Sequence, residues 1–96
     1  MTWYLYVVRT VGGSLYAGIS TDVGRRYREH ASGSRKAARF LRANKPGELV
    51  FIRRIGSHSL ALKAEYRFKQ LSKRDKETIV RLGKLRLDRQ TGEIRN

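Results

Sequence analysis

The sequence predicts an α+β domain in which a small, three-stranded and mostly antiparallel sheet is flanked by helices, in the order β-β-α-α-β-α-α. A segment rich in aromatic and β-branched residues, Trp3–Thr10, is followed by a Gly12-Gly13 turn and a second strand candidate, which is typical of a β-hairpin. A short apolar run in the middle of the chain separates two pairs of segments with helical periodicity. The length of 96 residues suits a single domain with a modest core.

The first two strands follow from the residue types near the N-terminus. Trp3–Thr10 is rich in the side chains that favour a strand. Glycine tolerates the positive φ angles of tight turns, so Gly12 and Gly13 mark the hairpin connection. Residues 14–19 are therefore predicted to form the partner strand, and each strand carries one tyrosine, Tyr6 or Tyr16.

Two helices are predicted to follow the hairpin. Polar residues 20–22 supply N-cap candidates, so the first helix begins at Asp22 and runs to about His30, and Gly33 closes the segment. A second helix is predicted over residues 35–43, where the turn-forming residues 44–47 stop it.

The second half of the chain predicts one more strand and two helices. The apolar run at 49–52 suits a buried third strand, and residues 59–71 show the apolar stripe of a helix. Ser72 and Asp75 have the spacing of a capping box, so a fourth helix begins there and Gly83 ends it.

The domain is expected to span residues 1–84. Residues 85–96 are basic and contain a Thr91-Gly92 turn, so they form either a loose hairpin or a C-terminal tail.

The charge of the chain indicates its partner. Lys and Arg number 22 against 8 Asp and Glu, which gives a formal net charge of +14. Such a charge favours polyanions, and nucleic acid is the leading candidate. An anionic membrane surface is the alternative, but the basic residues do not gather on one face of a long amphipathic helix. We therefore expect nucleic-acid binding, with DNA favoured over RNA, and no membrane.

Cysteine usage and the N-terminus indicate the compartment. The sequence contains no cysteine, which excludes a disulfide framework and a thiolate metal site. The apolar start lacks a basic leading region and is broken by Arg9, so it is not expected to act as a signal peptide. These features predict a cytoplasmic protein.

Four residues near the N-terminus combine proton-transfer and phosphate-binding chemistry. Tyr6 and Tyr16 lie on the two hairpin strands, and Arg26 and His30 are four residues apart on the following helix, hence on one face. Together with the positive charge, this set favours a nuclease over a passive nucleic-acid binder.

These residues resemble the GIY-YIG nuclease superfamily, and the chain looks most like its small stand-alone, single-domain, UPF0213-like members. The first motif corresponds to Tyr4-Leu5-Tyr6 and the second to Tyr16-Ala17-Gly18, and the likeness spans most of residues 3–82. Tyr4 stands where the family has glycine, and Ile19 stands where some members have lysine. The resemblance implies that Tyr4 and Gly18 are structural motif positions.

The resemblance also implies a catalytic set and one metal ion. Tyr6, Tyr16, Arg26, His30 and Glu65 match the family's catalytic positions, and Glu65 matches the ligand of one Mg²⁺ or Mn²⁺. Tyr6 is then the base, provided that Arg26 and the metal lower its pKa. Arg26 braces the phosphate, Tyr16 orients the water or the phosphate, and His30 shares the base role or positions Tyr6. Repair nucleases belong to this family, so a role in DNA repair is also implied.

Each of these residues has a structural alternative. The tyrosines can be packing residues of half-buried strands, and Glu65 can be an ordinary ion-pair partner of Lys69, four residues later. Arginines and lysines of the helical region are the candidates for backbone phosphate contacts, against the alternative of a solvated face. These candidates are Arg25, Arg28, Arg35, Lys36, Arg39, Arg42 and Lys45.

Three functions remain open at this point. The first is a metal-dependent endonuclease that acts on DNA with structure-based or weak sequence specificity, because no base-reading motif is present. The second is a non-catalytic DNA- or RNA-binding module that retains the nuclease fold. The third is a nuclease subunit that obtains its substrate specificity from a protein partner.

Overall fold

The computed structural model describes residues 1–33 and 35–95, and it confirms the α+β class with a three-stranded antiparallel sheet flanked by helices. The predicted order of the first seven elements is confirmed, and a short hairpin follows them. The elements are β1 (Trp3–Thr10), β2 (Leu15–Ser20), α1 (Val23–Ala31), α2 (Arg39–Ala43), β3 (Pro46–Gly56), α3 (His58–Gln70), α4 (Lys73–Leu82), β4 (Arg86–Leu87) and β5 (Ile94–Arg95).

Strand β1 is the centre of the sheet. The strand order is β2-β1-β3, and both pairings are antiparallel. Tyr6 pairs with Gly18 on β2 and with Ile52 on β3, so the first-motif tyrosine stands on the central strand, beside the glycine of the second motif.

The sheet buries both of its faces. On one face, Leu5 and Val7 pack with Ala64 and Phe68 of α3 and with Ile79 of α4. Tyr6, Val8 and Val23 of α1 form a second cluster, in which Tyr4, Tyr16 and Tyr27 also pack. Because side chains alternate across a strand, β1 contributes to the two clusters in turn. No helix of the described residues is long and apolar enough to cross a membrane.

The predicted helix ends are confirmed at three positions. The Asp22 side chain accepts a hydrogen bond from the Arg25 N–H and caps α1. The Ser72 hydroxyl accepts one from the Asp75 N–H at the start of α4. Gly83 ends α4 in the left-handed conformation at φ 66°, which glycine adopts without steric cost.

The prediction of a helix over residues 35–43 was wrong at its start, because α2 begins only at Arg39. Two backbone groups just before α2 form hydrogen bonds with side chains instead of helical hydrogen bonds. The Ala38 N–H donates to Nδ1 of His30 over 3.1 Å, and the Lys36 carbonyl accepts a hydrogen bond from Arg26. These tertiary contacts hold Ala38 at φ −58° and ψ 142°, outside the helical region.

The predicted buried strand at 49–52 was wrong in extent and in burial. Strand β3 runs from Pro46 to Gly56, and Ile52 is 52% exposed. The strand lies at an edge of the sheet, where a proline at the first position needs no N–H for the ladder. Pro46 was expected to lie in the turn before the strand, but it is the first residue of the strand.

The C-terminal segment forms a hairpin. Strands β4 and β5 pair antiparallel, with Arg86 opposite Arg95 and Leu87 opposite Ile94. Leu85 is buried, and Leu87 and Ile94 pack against the cluster under α3 and α4. Asn96, the last residue of the segment, lies outside the described residues.

Candidate active site

Tyr6 is a buried and hydrogen-bonded group of the site. Its side chain is 1% exposed, and its hydroxyl lies 2.8 Å from Nε2 of His30. The two residues are 24 positions apart, and the sheet and α1 bring them together. Both were predicted as catalytic residues, and the structure joins them directly.

The hydrogen bonds of His30 determine its tautomer. Its Nδ1 accepts the Ala38 N–H over 3.1 Å, so that nitrogen carries no proton. A neutral imidazole then carries its proton on Nε2, which donates to the Tyr6 oxygen. Tyr6 keeps its own O–H for another acceptor, and His30 acts as a donor that positions the phenol. Of the two roles expected for His30, this geometry supports positioning.

Burial controls the protonation of His30. Desolvation of the 1%-exposed ring is the first cause that lowers its pKa, and the Arg26 charge lowers it further, whereas Glu29 opposes them. The neutral form required by the Ala38 hydrogen bond is therefore favoured.

This geometry predicts that the free energy of unfolding decreases as the pH falls from about 7 to about 5. The folded state has the lower His30 pKa, so the unfolded chain binds more protons below its own value of 6.5. Stability is fully present above that pH and is lost below it. Glu77 and Asp88 have lowered pKa values, so their contribution is lost only at more acidic pH.

Urea unfolding of the wild type, His30→Gln and His58→Gln across this range measures the effect. His30→Gln should lose most of the pH dependence, and His58→Gln, at the exposed histidine, should retain it. Equal pH dependence in all three proteins would contradict the assignment.

In the protein by itself, the net effect on the pKa of Tyr6 is an increase. Burial is the largest cause and the Tyr16 phenol the second, and together they raise the pKa of Tyr6 to about 12. Arg26 acts in the expected direction but does not outweigh burial, and Glu65 raises the value further. Added positive charge is therefore needed before Tyr6 ionises near neutral pH.

Gly18 makes room for the Tyr6 hydroxyl. A Cβ atom at position 18 would lie 2.5 Å from the Tyr6 oxygen and 2.6 Å from its ring carbon Cζ. The phenol cannot yield easily, because it is buried and bonded to His30. The structural role that the resemblance implied for Gly18 thus has a steric origin.

Tyr16 is half-buried between several neighbours. Its ring meets the His30 ring edge-on at 5.8 Å and stacks on Phe40, also at 5.8 Å, with 17° between the planes. Lys69 Nζ lies 5.6 Å from the ring centroid. Burial is the main cause that raises the pKa of Tyr16, Glu65 adds to it and Arg26 opposes it.

Glu65 lies on α3, within electrostatic range of both phenols. Its charge raises the pKa values of Tyr6 and Tyr16, and its carboxylate is 3.5 Å from Lys69 Nζ. The side chains of Glu65 and Lys69 are 21% and 50% exposed, and an exposed pair of this kind contributes about 0.3–0.5 kcal/mol. The alternative that Glu65 is the ion-pair partner of Lys69 is therefore also present in the structure.

A metal ion at this place would have one protein carboxylate. No three His, Cys, Asp or Glu side chains among the described residues are grouped to hold a metal. Mg²⁺ is often held by one or two carboxylates, with waters and phosphate oxygens in the other positions. The single, partly exposed carboxylate of Glu65 fits this coordination preference. The weak ion pair with Lys69 does not prevent Glu65 from binding a metal ion.

Arg26 lies on α1 and is oriented by its neighbours. It pairs with Glu29 at 3.1 Å and donates to the Lys36 carbonyl. Its positive charge reaches both phenols and lowers both of their pKa values. Tyr6, Tyr16, Arg26, His30 and Glu65 thus lie in one electrostatically coupled group.

The other predicted site residues lie around this group. Tyr4 is half-buried and packs in the cluster of Tyr6, Val8 and Val23. The candidates for phosphate contacts are exposed on α1, on α2 and on the segments beside them. They are Arg25, Arg28, Arg35, Lys36, Arg39, Arg42 and Lys45.

Three residues at the site were missed in the sequence. Ala38 contributes only its backbone N–H, which no side-chain pattern reveals. Phe40 stacks on Tyr16, and nothing in the sequence had assigned it a role. Lys69 was noted only as a partner of Glu65, and its contact with the Tyr16 ring depends on the pairing of α3 with β2.

The chain is similar to several known proteins. The family model described as the GIY-YIG catalytic domain matches residues 2–78. The UPF0213 protein YhbQ of Salmonella typhimurium is 53% identical over 78 residues, which cover 81% of this chain and 76% of that protein. YhbQ of Escherichia coli is 53% identical over 81 residues, or 84% and 79% of the two chains. The solution structure of the UPF0213 protein BH0048 from Bacillus halodurans is similar with a TM-score of 0.54 and 41% identity, covering 85% of each chain.

Proposed function

Because the chain belongs to the GIY-YIG family, whose members are generally endonucleases, we propose that it is a metal-dependent endonuclease that hydrolyses phosphodiester bonds in DNA. The observation that carries the proposal is the hydrogen bond from His30 Nε2 to the Tyr6 oxygen. Any buried tyrosine needs a partner for its hydroxyl, but here the phenol oxygen accepts the bond, and an accepting oxygen is what a donor can stabilise as a phenolate. Specificity is structural or weak in sequence, because the exposed basic residues suit backbone contacts.

Tyr6 is the proposed proton acceptor. Its own proton leaves to solvent, and the phenolate then takes a proton from the water that attacks phosphorus. His30 donates to the same oxygen and so stabilises the negative charge that develops there. The Ala38 N–H keeps the imidazole in the donating tautomer throughout.

The remaining residues bind and orient the phosphate. Arg26 provides paired N–H donors for non-bridging oxygens, and Tyr16 orients the water or the phosphate. Lys69, next to Tyr16 and Glu65, contributes the positive charge that some family members place after the second motif, where this chain has Ile19. Glu65 would hold one Mg²⁺ or Mn²⁺, which supplies the additional positive charge that ionisation of Tyr6 and hydrolysis of the phosphate require.

One observation favours the second candidate function, a non-catalytic DNA- or RNA-binding module. A phenol with a pKa of about 12 is almost entirely protonated at neutral pH. If no cation corrects that value, the domain binds nucleic acid without cleaving it.

A plasmid-nicking assay with Mg²⁺, with Mn²⁺ and with a chelator separates the two functions. Metal-dependent conversion of supercoiled to open-circular DNA by the purified protein is expected. The same metal conditions are then tested with branched, single-stranded and duplex DNA and with RNA. Binding of these substrates without cleavage of any of them, or of the plasmid, would support the non-catalytic module. Activity that appears only after a cellular protein is added would instead support a subunit that depends on a partner.

We predict strongly salt-dependent, sequence-tolerant binding. If the exposed arginines and lysines neutralise about six phosphates, log K falls against log salt with a slope of about −5 on B-DNA. Arg35→Gln together with Arg39→Gln should reduce the magnitude of the slope by about 2. Fluorescence anisotropy with a labelled duplex at several salt concentrations measures the slope.

The matched control removes the same charge elsewhere. Arg74→Gln together with Arg81→Gln changes two exposed arginines of α4 and should leave the slope nearly unchanged. A flat salt response, or a strong preference for one base sequence, would contradict backbone binding.

A further inference from the structure

A pocket of about 290 Å³ opens next to the candidate active site. Leu15 and Ala17 of β2 and Phe68 of α3 line it with apolar atoms. Tyr16 is a shared wall, because its ring lines the pocket and also meets the His30 ring. A group bound in the pocket would therefore be a close neighbour of the phosphate that the site acts on.

The second aromatic wall is exposed. Phe40 lines the pocket, stacks on Tyr16 with 17° between the ring planes and is 43% exposed. A large aromatic side chain that remains exposed beside an apolar cavity offers a flat surface for another flat ring.

Two lysines complete the lining. Lys69 of α3 and Lys76 of α4 both border the pocket, and Lys69 Nζ is 5.6 Å from the Tyr16 ring. An apolar aromatic cavity flanked by ammonium groups fits a ligand with a flat ring and an attached anion. A nucleotide has both parts.

We propose that this pocket takes the base of one unpaired nucleotide adjacent to the phosphate that is cleaved. The inference rests on the proposed nuclease function and names its substrate more closely. A paired base is stacked inside the duplex and cannot enter a pocket, so the bound nucleotide is single-stranded or turned out of a helix. The lining offers rings and ammonium groups rather than a paired set of donors and acceptors, so the base is held by stacking with little sequence preference.

Binding in the presence of a chelator tests the pocket without requiring cleavage. Three labelled probes of equal length are compared: a single-stranded oligothymidylate, the same strand with abasic sites, and a duplex. The abasic strand keeps the phosphate charges and lacks the bases. Wild-type protein should bind the intact strand at least about fivefold more tightly than the abasic strand, as expected for stacking of one base.

Two variants distinguish the aromatic ring of Phe40 from the volume of its side chain. Phe40→Ala should abolish the difference between intact and abasic strands, and Phe40→Leu should retain part of it. Both should bind the duplex within about twofold of wild type, because backbone contacts remain. Tyr66→Ala, which removes an exposed aromatic residue of α3 that does not line the pocket, should behave as wild type.

The outcomes of this test and of the nicking assay are independent. Equal binding of intact and abasic strands by wild type, or an undiminished difference in Phe40→Ala, overturns the pocket even if the protein cleaves DNA. A fivefold difference that depends on Phe40 supports base binding in the pocket even if no cleavage is found, and the nuclease proposal then fails together with the placement beside a cleaved phosphate.

Discussion

Glu65→Gln is expected to abolish cleavage while leaving nucleic-acid affinity nearly intact. Glu65 is the carboxylate whose charge acts on both phenols, and it sits on α3, which packs against the sheet. The amide is nearly isosteric but carries no charge, so it binds a divalent cation poorly. Losing the cation should remove several kcal/mol of transition-state stabilisation. Single-turnover cleavage and anisotropy binding measure the two effects separately.

Metal binding provides a readout that does not depend on activity. Titration calorimetry with Mn²⁺ should show one site in wild type and none in Glu65→Gln. Glu48→Gln, at an exposed acid of β3, is the matched control and should keep both metal binding and turnover. Undiminished metal-dependent turnover in Glu65→Gln would remove Glu65 from the site.

Tyr6→Phe should reduce the cleavage rate by about 10²–10⁴, the usual effect of losing a general base. Tyr16→Phe should cost less, because a hydroxyl that orients a water matters less than one that takes its proton. Rates of both variants are measured under single-turnover conditions across about pH 6 to 10. The wild-type rate should rise with pH, since burial holds the pKa of Tyr6 high, and Tyr6→Phe should lose that rise.

Tyr6→Phe is also expected to reduce stability. Tyr6→Phe leaves the buried Nε2–H of His30 without its acceptor, which costs about 1–3 kcal/mol. The sequence alone predicts about 1 kcal/mol or less, on the assumption that the freed group reaches water. Circular dichroism and urea unfolding of the variants measure this cost and check that they fold. A wild-type rate and pH profile in Tyr6→Phe would assign the base role to another group.

The secondary structure could be predicted where local chemistry decides it. Strand β1 follows from its aromatic and β-branched residues, and α1 and α4 begin at the polar residues that cap them. The start of α2 could not be predicted, because the Ala38 N–H bonds to a histidine eight residues earlier instead of joining a helix. Such a contact exists only after the chain has folded.

The residues of the candidate site could be proposed from the sequence, but the contacts between them could not. The likeness to a known family pointed to Tyr6, His30 and Glu65, yet the direction of the Tyr6–His30 hydrogen bond depends on what Ala38 donates to. Burial of Tyr6 outweighs the lowering of its pKa by Arg26, and burial is a property of the packed structure. The place of Phe40 beside Tyr16 likewise arises from packing between distant segments.

The missing Cβ of Gly18 has a consequence for how the motifs of this family are compared. Because a Cβ there would lie 2.5 Å from the Tyr6 oxygen, the tyrosine of the first motif and the glycine of the second express one spatial requirement. A relative with a short side chain at the position of Tyr6 has no need for glycine opposite it, so the two positions should change together. A motif comparison that treats the tyrosine and the glycine as two independent matches therefore overstates the similarity between two sequences.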